Sequence, residues 1–395
     1  MSKKSMEQLK KLCIDKTLNN MNGIKTNLRE YSSCKEGNYF EELTNEKHKN
    51  ISLDLSHIFV WTPSFFTGMA CLAYNETNKP MYLKWLNCFY DKYYHKIFDT
   101  PMNTMHDLGF LYSPYSVALY KLTGDVNQKK VAIKAAEELA KRFMVKGNYI
   151  RAWGRLDDKI PEYVSEELSK NHFFTESKGL AIIDSMMNIP LLYWATEVTG
   201  NSYFADIANA HAHMTLKYFI RDDYSVYHAY RFDEKTGEPI GGTNYCGYSD
   251  ESYWARGAAW AIYGFAIAYR YTHKAEYIEA ANKLANEFIE NIKETIVPIW
   301  DFRLPENEKP NKDTSAAAVA ACGFIEIAKL TDNGKMLIWA DRIIEKLSEQ
   351  EYLNEDINCP GMLKQSNGRD VYWICGDYFY MEAIYKRLND IEIFW

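Results

Sequence analysis

One pattern recurs six times along this chain: an apolar, small-residue helix rich in aromatics that closes near Thr or Asn, then a turn, then an amphipathic helix with a charged face. The closing residues are Thr77, Thr123, Thr199, Thr272, Thr331 and Asn389, and successive marks stand between 46 residues (Thr77 to Thr123) and 76 residues (Thr123 to Thr199) apart. Each interval accommodates two helices and their loops. Segments after the marks, 129–143, 203–219, 275–292 and 334–347, carry apolar residues at three- and four-residue spacing, the pattern of a helix with one covered side. Segments before the marks, such as 262–269 and 321–328, are apolar or small nearly all round, which suits a helix enclosed by others. A first outer helix is expected over 6–20, and strand-like alternation is confined to stretches such as 224–231. The chain is therefore expected to be all-α, an (α/α)6 barrel of six inner and six outer helices forming one domain over residues 1–395. A solenoid of helical hairpins has the same period, and six repeats favour closure.

The formal charge is −7, and no basic run is long enough to track a phosphate backbone or an anionic bilayer, which argues against nucleic-acid and membrane partners. Aromatics make up 15 % of the chain, with 30 Tyr and 10 Trp, more ring surface than packing needs and suited to ring-shaped ligands such as sugars. Cys13, Cys34, Cys71, Cys88, Cys246, Cys322, Cys359 and Cys375 lack CxxC spacing in a chain too large to need staples, so they read as reduced thiols. The first residues hold no apolar core of signal-peptide length, and no uninterrupted apolar run reaches membrane-spanning length. A cytoplasmic location is expected. His211 and His213, two apart on a helix, face different directions, and no Cys/His spacing or Gly-rich loop points to a metal or cofactor.

Two aspartates stand inside apolar runs: Asp107 in Met105-His106-Asp107-Leu108-Gly109-Phe110 and Asp184 in Ile182-Ile183-Asp184-Ser185-Met186-Met187. A carboxylate so surrounded loses water, which is costly unless hydrogen bonds or function offset it. Asp107, Asp184, Asp250 or Glu251, Asp313 and Asp377 are each expected a few residues before an inner helix, so closure gathers them on one face. N-capping is the routine use of Asp there, and Asp313-Thr314-Ser315-Ala316 reads as a helix start without chemistry. Acid catalysis is the other reading, and it requires an aspartate lifted from a reference pKa of about 3.9. A helix N-terminus opposes this by about 0.3–1 kcal/mol, less than burial and a neighbouring carboxylate can supply. Converging N-termini also attract an anionic ligand.

The run Ser249-Asp250-Glu251-Ser252-Tyr253-Trp254-Ala255-Arg256-Gly257-Ala258-Ala259-Trp260 is the densest cluster in the chain. Trp254 and Trp260 offer flat apolar faces and Arg256 a planar cation matched to a carboxylate. A buried Trp pair with a structural Arg fits the same residue types, and Trp61 and Trp153 share that ambiguity. His228, in Val226-Tyr227-His228-Ala229-Tyr230, is either a ligand contact or an ordinary strand histidine.

Taken in order, His106-Asp107-Leu108-Gly109-Phe110, Asp184-Ser185-Met186-Met187-Asn188-Ile189-Pro190, Gly247-Tyr248-Ser249-Asp250 through Trp260, and Asp313-Thr314-Ser315-Ala316 carry a resemblance. The chain resembles the unsaturated glucuronyl hydrolases, glycoside hydrolase family 88, over most of its length. The resemblance implies an (α/α)6 barrel, no metal or cofactor, and an unsaturated uronyl disaccharide or short oligosaccharide, left by a polysaccharide lyase, as substrate. It further implies hydration of the C4=C5 vinyl ether: Asp184 protonates C4, water adds at C5, and the hemiketal opens to release the aglycone. Asp107 assists, contacting ring hydroxyls. The carboxyl-separation rule for inverting and retaining glycosidases then does not apply.

Trp61, Trp153, His228, Trp254, Arg256 and Trp260 match positions that line the family's sugar site. Cys246 and Ala258 replace glutamines common in the family, removing hydrogen-bonding capacity. Residues 156–178 lengthen the stretch between Trp153 and Asp184 and are expected to reshape the rim. Ser366 and Arg369 are expected anion contacts, in a loop that only partly matches the Ser and Lys pattern of members favouring sulfated substrates. An unsaturated rhamnogalacturonyl hydrolase on the same barrel and a non-catalytic sugar-binding homologue are the alternatives, and monomer and homodimer both stay open.

Overall fold

The computed structural model of the chain describes residues 4–23, 55, 57–388 and 394–395. Six inner segments form a ring: Pro63–Thr77, Leu108–Tyr112 continuing to Ala118–Thr123, Pro190–Thr199, Ala255–Thr272, Thr314–Thr331 and Ile374–Leu388, the last packing back on the first. Met6–Gly23, Val126–Ala140, Ser202–Tyr218, Ala275–Ile292 and Gly334–Leu347 make the outer layer, with the second outer position split into Pro80–Asn87 and Tyr90–Phe98. This is the (α/α)6 barrel that the repeat implied. The second inner helix is interrupted by a π turn, Ser113–Val117, where Pro114 has no N–H to give the helix.

The recurring threonine accounts for the period. Oγ1 of Thr77, Thr123, Thr199, Thr272 and Thr331 donates to the carbonyl four residues back at 2.6–2.7 Å. In the first four, the same oxygen accepts the amide two residues on. The residue between is left-handed each time: Asn78 (φ 51°), Gly124 (73°), Gly200 (73°) and His273 (55°), with Asp332 (52°) following Thr331. The N–H of each of those first four residues closes on a carbonyl four back, ending the helix. One local reversal, repeated, thus sends the chain from inner to outer layer. The sixth mark, Asn389, lies outside the described residues.

Small residues bring the inner helices together. A Cβ on Gly264 would lie 2.6 Å from Met186 Cβ and 2.7 Å from its carbonyl oxygen, so only glycine allows Ala255–Thr272 to approach that backbone. Thr314–Thr331 is apolar and long enough to cross a bilayer by composition, yet 83 % of it is buried inside the barrel. At the end where the inner helices finish, buried charges are paired. Lys386 and Arg270 reach Glu326 at 2.6 and 3.0 Å. Burial alone would raise the Glu326 carboxyl, but these two cations hold it at about 2.

Among the described residues, two small antiparallel sheets decorate the opposite half. Phe143–Met144 pairs with Tyr149–Ile150, and Leu180–Ile182, Ala229–Phe232 and Pro239–Thr243 form the other. The alternation over 224–231 yields only the start of Ala229–Phe232. Cys13, Cys71, Cys88, Cys246, Cys322, Cys359 and Cys375 are free thiols, while Cys34 lies outside the described residues.

Candidate active site

A cavity of about 620 Å3 opens where the inner helices begin, a volume suited to a small ligand. Asp107 and Asp184 both line it. Asp107 occupies the N-cap position of Leu108–Tyr112 without making a capping bond, and its Oδ1 lies 3.1 Å from His106 Nε2. The other acids do structural work. Asp313 caps Thr314–Thr331 through the amides of Ser315 and Ala316. Asp377 does not precede its helix: it lies in the first turn of Ile374–Leu388 and accepts the amides of Met362 and Leu363, both at 2.7 Å. Asp250 is exposed and accepts from Thr243 Oγ1 at 2.8 Å, and Glu251 is exposed too.

A strand pairing places Asp184 beside His228. Ile182 pairs with Ala229, and Ile183 N–H donates to His228 O at 2.9 Å, so Asp184 just beyond the end of one strand and His228 just before the start of the other both line the cavity. His228 Nδ1 accepts the Tyr245 amide at 3.0 Å, which leaves the proton of the neutral ring on Nε2. That nitrogen stands 3.7 Å from Asp184 Oδ2. Burial, reinforced by Arg256 and His172, pushes the His228 pKa down to about 3, so the ring is a neutral N–H donor at ordinary pH. The Asp107 and Asp184 side chains are 11 % and 13 % exposed, largely desolvated yet open to the cavity.

Arg256 is held flat. Its guanidinium carbon lies 4.5 Å from the ring centres of both Trp254 and Trp373, and Nη1 donates to buried Asp313 Oδ2 at 2.8 Å. The arrangement fixes a planar cation at the cavity wall. Trp153, at φ 28°, packs against Tyr245 at 4.8 Å between centroids, and Trp61 against Trp373 at 5.6 Å.

The cavity thus brings together Asp107, Asp184, Trp61, Trp153, His228, Trp254, Arg256 and Arg369. Two expected contacts lie elsewhere. Trp260 is fully buried behind the wall between Phe110 and Phe379, because one turn of helix keeps it on the same face as Arg256 but sets it about 6 Å further into the barrel. Ser366 is also fully buried, and its hydroxyl bonds Thr314 Oγ1 at 2.8 Å and Leu363 O, so it secures a loop and offers an anion nothing. Cys246 lines the cavity, whereas Ala258 is buried away from it.

Several supporting residues carry no signature in the sequence. Buried Arg142 donates to the carbonyls of Thr104, Arg151, Ala152, Trp153 and Gly154 at 2.6–3.0 Å. Buried Asp301 accepts the amides of Tyr248, Tyr253 and Arg303 at 2.9–3.0 Å, fixing the loop that leads into Trp254. Asn171, His172 and Phe173, from the 156–178 segment, also line the cavity.

A helical barrel whose helix starts surround two carboxylates, a clamped arginine and a wall of aromatic rings defines a carbohydrate-cleaving enzyme of the (α/α)6 class. The profile of Glycosyl Hydrolase Family 88 matches residues 32–326, and the chain belongs to this family of glycoside hydrolases. It is 34 % identical to the unsaturated chondroitin disaccharide hydrolase of Streptococcus agalactiae serotype III (strain NEM316), over 85 % of this chain and 83 % of that one. It is 30 % identical to the unsaturated glucuronyl hydrolase of Bacillus sp. (strain GL1), over 91 % and 94 %. The crystal structure of the Bacillus sp. GL1 enzyme superposes with a TM-score of 0.83 at 28 % identity, covering 98 % of each chain. A substituted unsaturated glucuronyl hydrolase from S. agalactiae, complexed with dGlcA-GalNAc6S, superposes with a TM-score of 0.76 at 27 % identity, over 99 % of this chain and 93 % of that one.

Proposed function

We propose that this enzyme removes the C4=C5-unsaturated uronic acid from the non-reducing end of lyase-generated oligosaccharides, by hydrating the vinyl ether with Asp184 as general acid and base. The observation that carries this reading is Asp184 at the cavity with the neutral His228 Nε2–H facing its Oδ2 at 3.7 Å. The Asp184 carboxyl gives its proton to C4 and water adds at C5. The carboxylate then takes a proton from that water, which restores the acid. The C5 hemiketal opens and the aglycone departs as an alcohol. His228 offers a donor that fits the carboxylate formed midway and stays neutral throughout, so it does not compete for the proton. Arg256, clamped between two rings, suits the uronate carboxylate. In this reading Asp107 holds ring hydroxyls, and Trp61, Trp153, Trp254 and Arg369, which line the same cavity, surround the sugar. The relatives named as hydrolases of unsaturated chondroitin disaccharides support the substrate class.

Unsaturated uronyl disaccharides of several linkages, incubated with the enzyme, should lose the absorbance of the C=C bond. Asp184→Asn should fold normally and lose about 10²–10⁴-fold in kcat, the usual weight of a general acid/base. Absence of loss with every linkage removes the proposal, and an active Asp184→Asn returns that residue to a structural role.

A further inference from the structure

The cavity grades from a closed floor to an open rim. Asp107, His228, Trp254 and Arg256 are buried, Tyr245 and residues 171–173 are half-buried, and Cys246 is exposed. A terminal ring whose reacting carbons reach the floor carboxylates must leave its attached sugar at that rim. One wall there is aromatic. His172 stacks on Tyr245, 5.0 Å between centroids and 29° between planes, and lies 4.9 Å from Trp153, while Phe173 meets Trp153 edge-on at 4.8 Å.

The wall is pinned from behind. Tyr245 OH donates to Glu176 Oε2 at 2.7 Å, and Arg231 pairs with the same carboxylate. Arg151 donates to Ser177 Oγ at 2.9 Å, and Phe59 packs on Phe173 and Phe174. The face is therefore set before any ligand arrives, which lowers the ordering cost of binding. Burial lowers the His172 pKa, so the ring is neutral at ordinary pH and offers an uncharged flat aromatic face.

Resting on the uronyl hydrolase reading above, we propose that residues 171–173 and Tyr245 form the subsite for the second sugar, with His172 as a specificity-determining residue whose ring takes the apolar face of a pyranose. A sugar ring presents several C–H groups on one face, and an aromatic plane at the rim of a pocket recognises that face without reading individual hydroxyls. Asn171, whose Oδ1 caps the turn at Phe173 N–H, orients the segment.

The test compares two substrates: an unsaturated uronyl disaccharide and the methyl glycoside of the same unsaturated uronate, which has no second ring. In His172→Ala the ratio of kcat/KM for disaccharide over methyl glycoside should fall about tenfold, through the disaccharide KM, a loss of the size of one aromatic contact. His172→Phe should restore most of that ratio. His172→Leu, which keeps bulk without the flat face, should behave as Ala and carries the comparison if Ala melts early. An unchanged ratio, or a Phe variant as impaired as Ala, overturns the subsite. Turnover of neither substrate by the unsubstituted enzyme instead defeats the hydrolase reading, and the subsite with it.

Discussion

Gly109 lies against the backbone of Asn188 with no room for a side chain: a Cβ there would sit 2.3 Å from Asn188 Cα and 2.5 Å from its carbonyl oxygen. Asn188 also ties the two acidic segments together, accepting Phe110 N–H at Oδ1 (2.8 Å) and donating from Nδ2 to Asp184 O (3.0 Å). The contact sets how Asp107, two residues before Gly109, sits relative to Asp184. Gly109→Ala should push the segments apart, cost about 1–3 kcal/mol in denaturant unfolding, and lower kcat about 10²-fold, the effect expected of an ångström-scale misplacement. A variant with unaltered kcat would show that the spacing of the two carboxylates does not matter.

Arg142 should act on binding through Trp153. Its fork reaches five carbonyls, among them Trp153 O at 2.6 Å, and Trp153 sits at φ 28°, a conformation that needs external support. Arg142→Lys keeps the charge but loses the planar fork. Stability should fall by about 2–4 kcal/mol, since several charge-assisted bonds are lost from a buried site. KM should rise more than kcat falls, because Trp153 lines the cavity but is not one of its two carboxylates. Steady-state kinetics with an unsaturated disaccharide decide it, and an unchanged KM would separate Arg142 from the site.

What the sequence made legible is the chemistry that acts locally. The threonine marks were visible because each hydroxyl acts within four residues of itself, so its position alone locates the reversal. Asp107 and Asp184 stood out because a charge in an apolar run is conspicuous at any distance. His228 could not be paired with Asp184 in advance, since that neighbourhood comes from pairing Ile182 with Ala229, far apart in sequence. Arg142 and Asp301 were invisible for a related reason: their partners are backbone groups, which every sequence supplies equally. Trp260 misled because aromatic residues serve a core and a sugar site alike, and only its position on the helix decides between them.

Acid should destabilise the fold before the ion-paired Glu326 carboxylate titrates. Burial pushes His211 and His228 down to about 3 and His106 well below its usual value. The unfolded chain takes up these protons below about pH 6.5, while the folded chain does not until near pH 3 for His211 and His228. Their contribution is therefore complete above pH 6.5 and shrinks as pH falls, by about 1.4 kcal/mol per pH unit for each histidine. Urea unfolding between pH 7.5 and 5 should show this slope, with His211→Asn flatter by one proton. Glu326, held low by its two cations, loses its contribution only nearer the unfolded value of about 4.3, so it does not contribute to the slope in this window. Flat stability down to pH 5 would contradict it.

Trp395 should prove a keystone of the barrel interior. It is 1 % exposed, stacks on Phe379 at 5.8 Å with 12° between planes, and touches Phe110, which follows the Asp107 segment. Its Nε1 donates to Glu382 Oε2 at 2.8 Å. Trp395→Ala opens a cavity and should cost about 3–5 kcal/mol. Trp395→Phe keeps most of the ring but leaves a buried carboxylate oxygen of Glu382 without this donor, and should cost about 1–3 kcal/mol. Because Glu382 also accepts from Tyr263 OH, Trp395→Phe paired with Tyr263→Phe should cost more than the two single changes added, as two donors to one buried carboxylate are removed together. Denaturant unfolding of the four variants measures this, and strict additivity would mean that the two donors act independently.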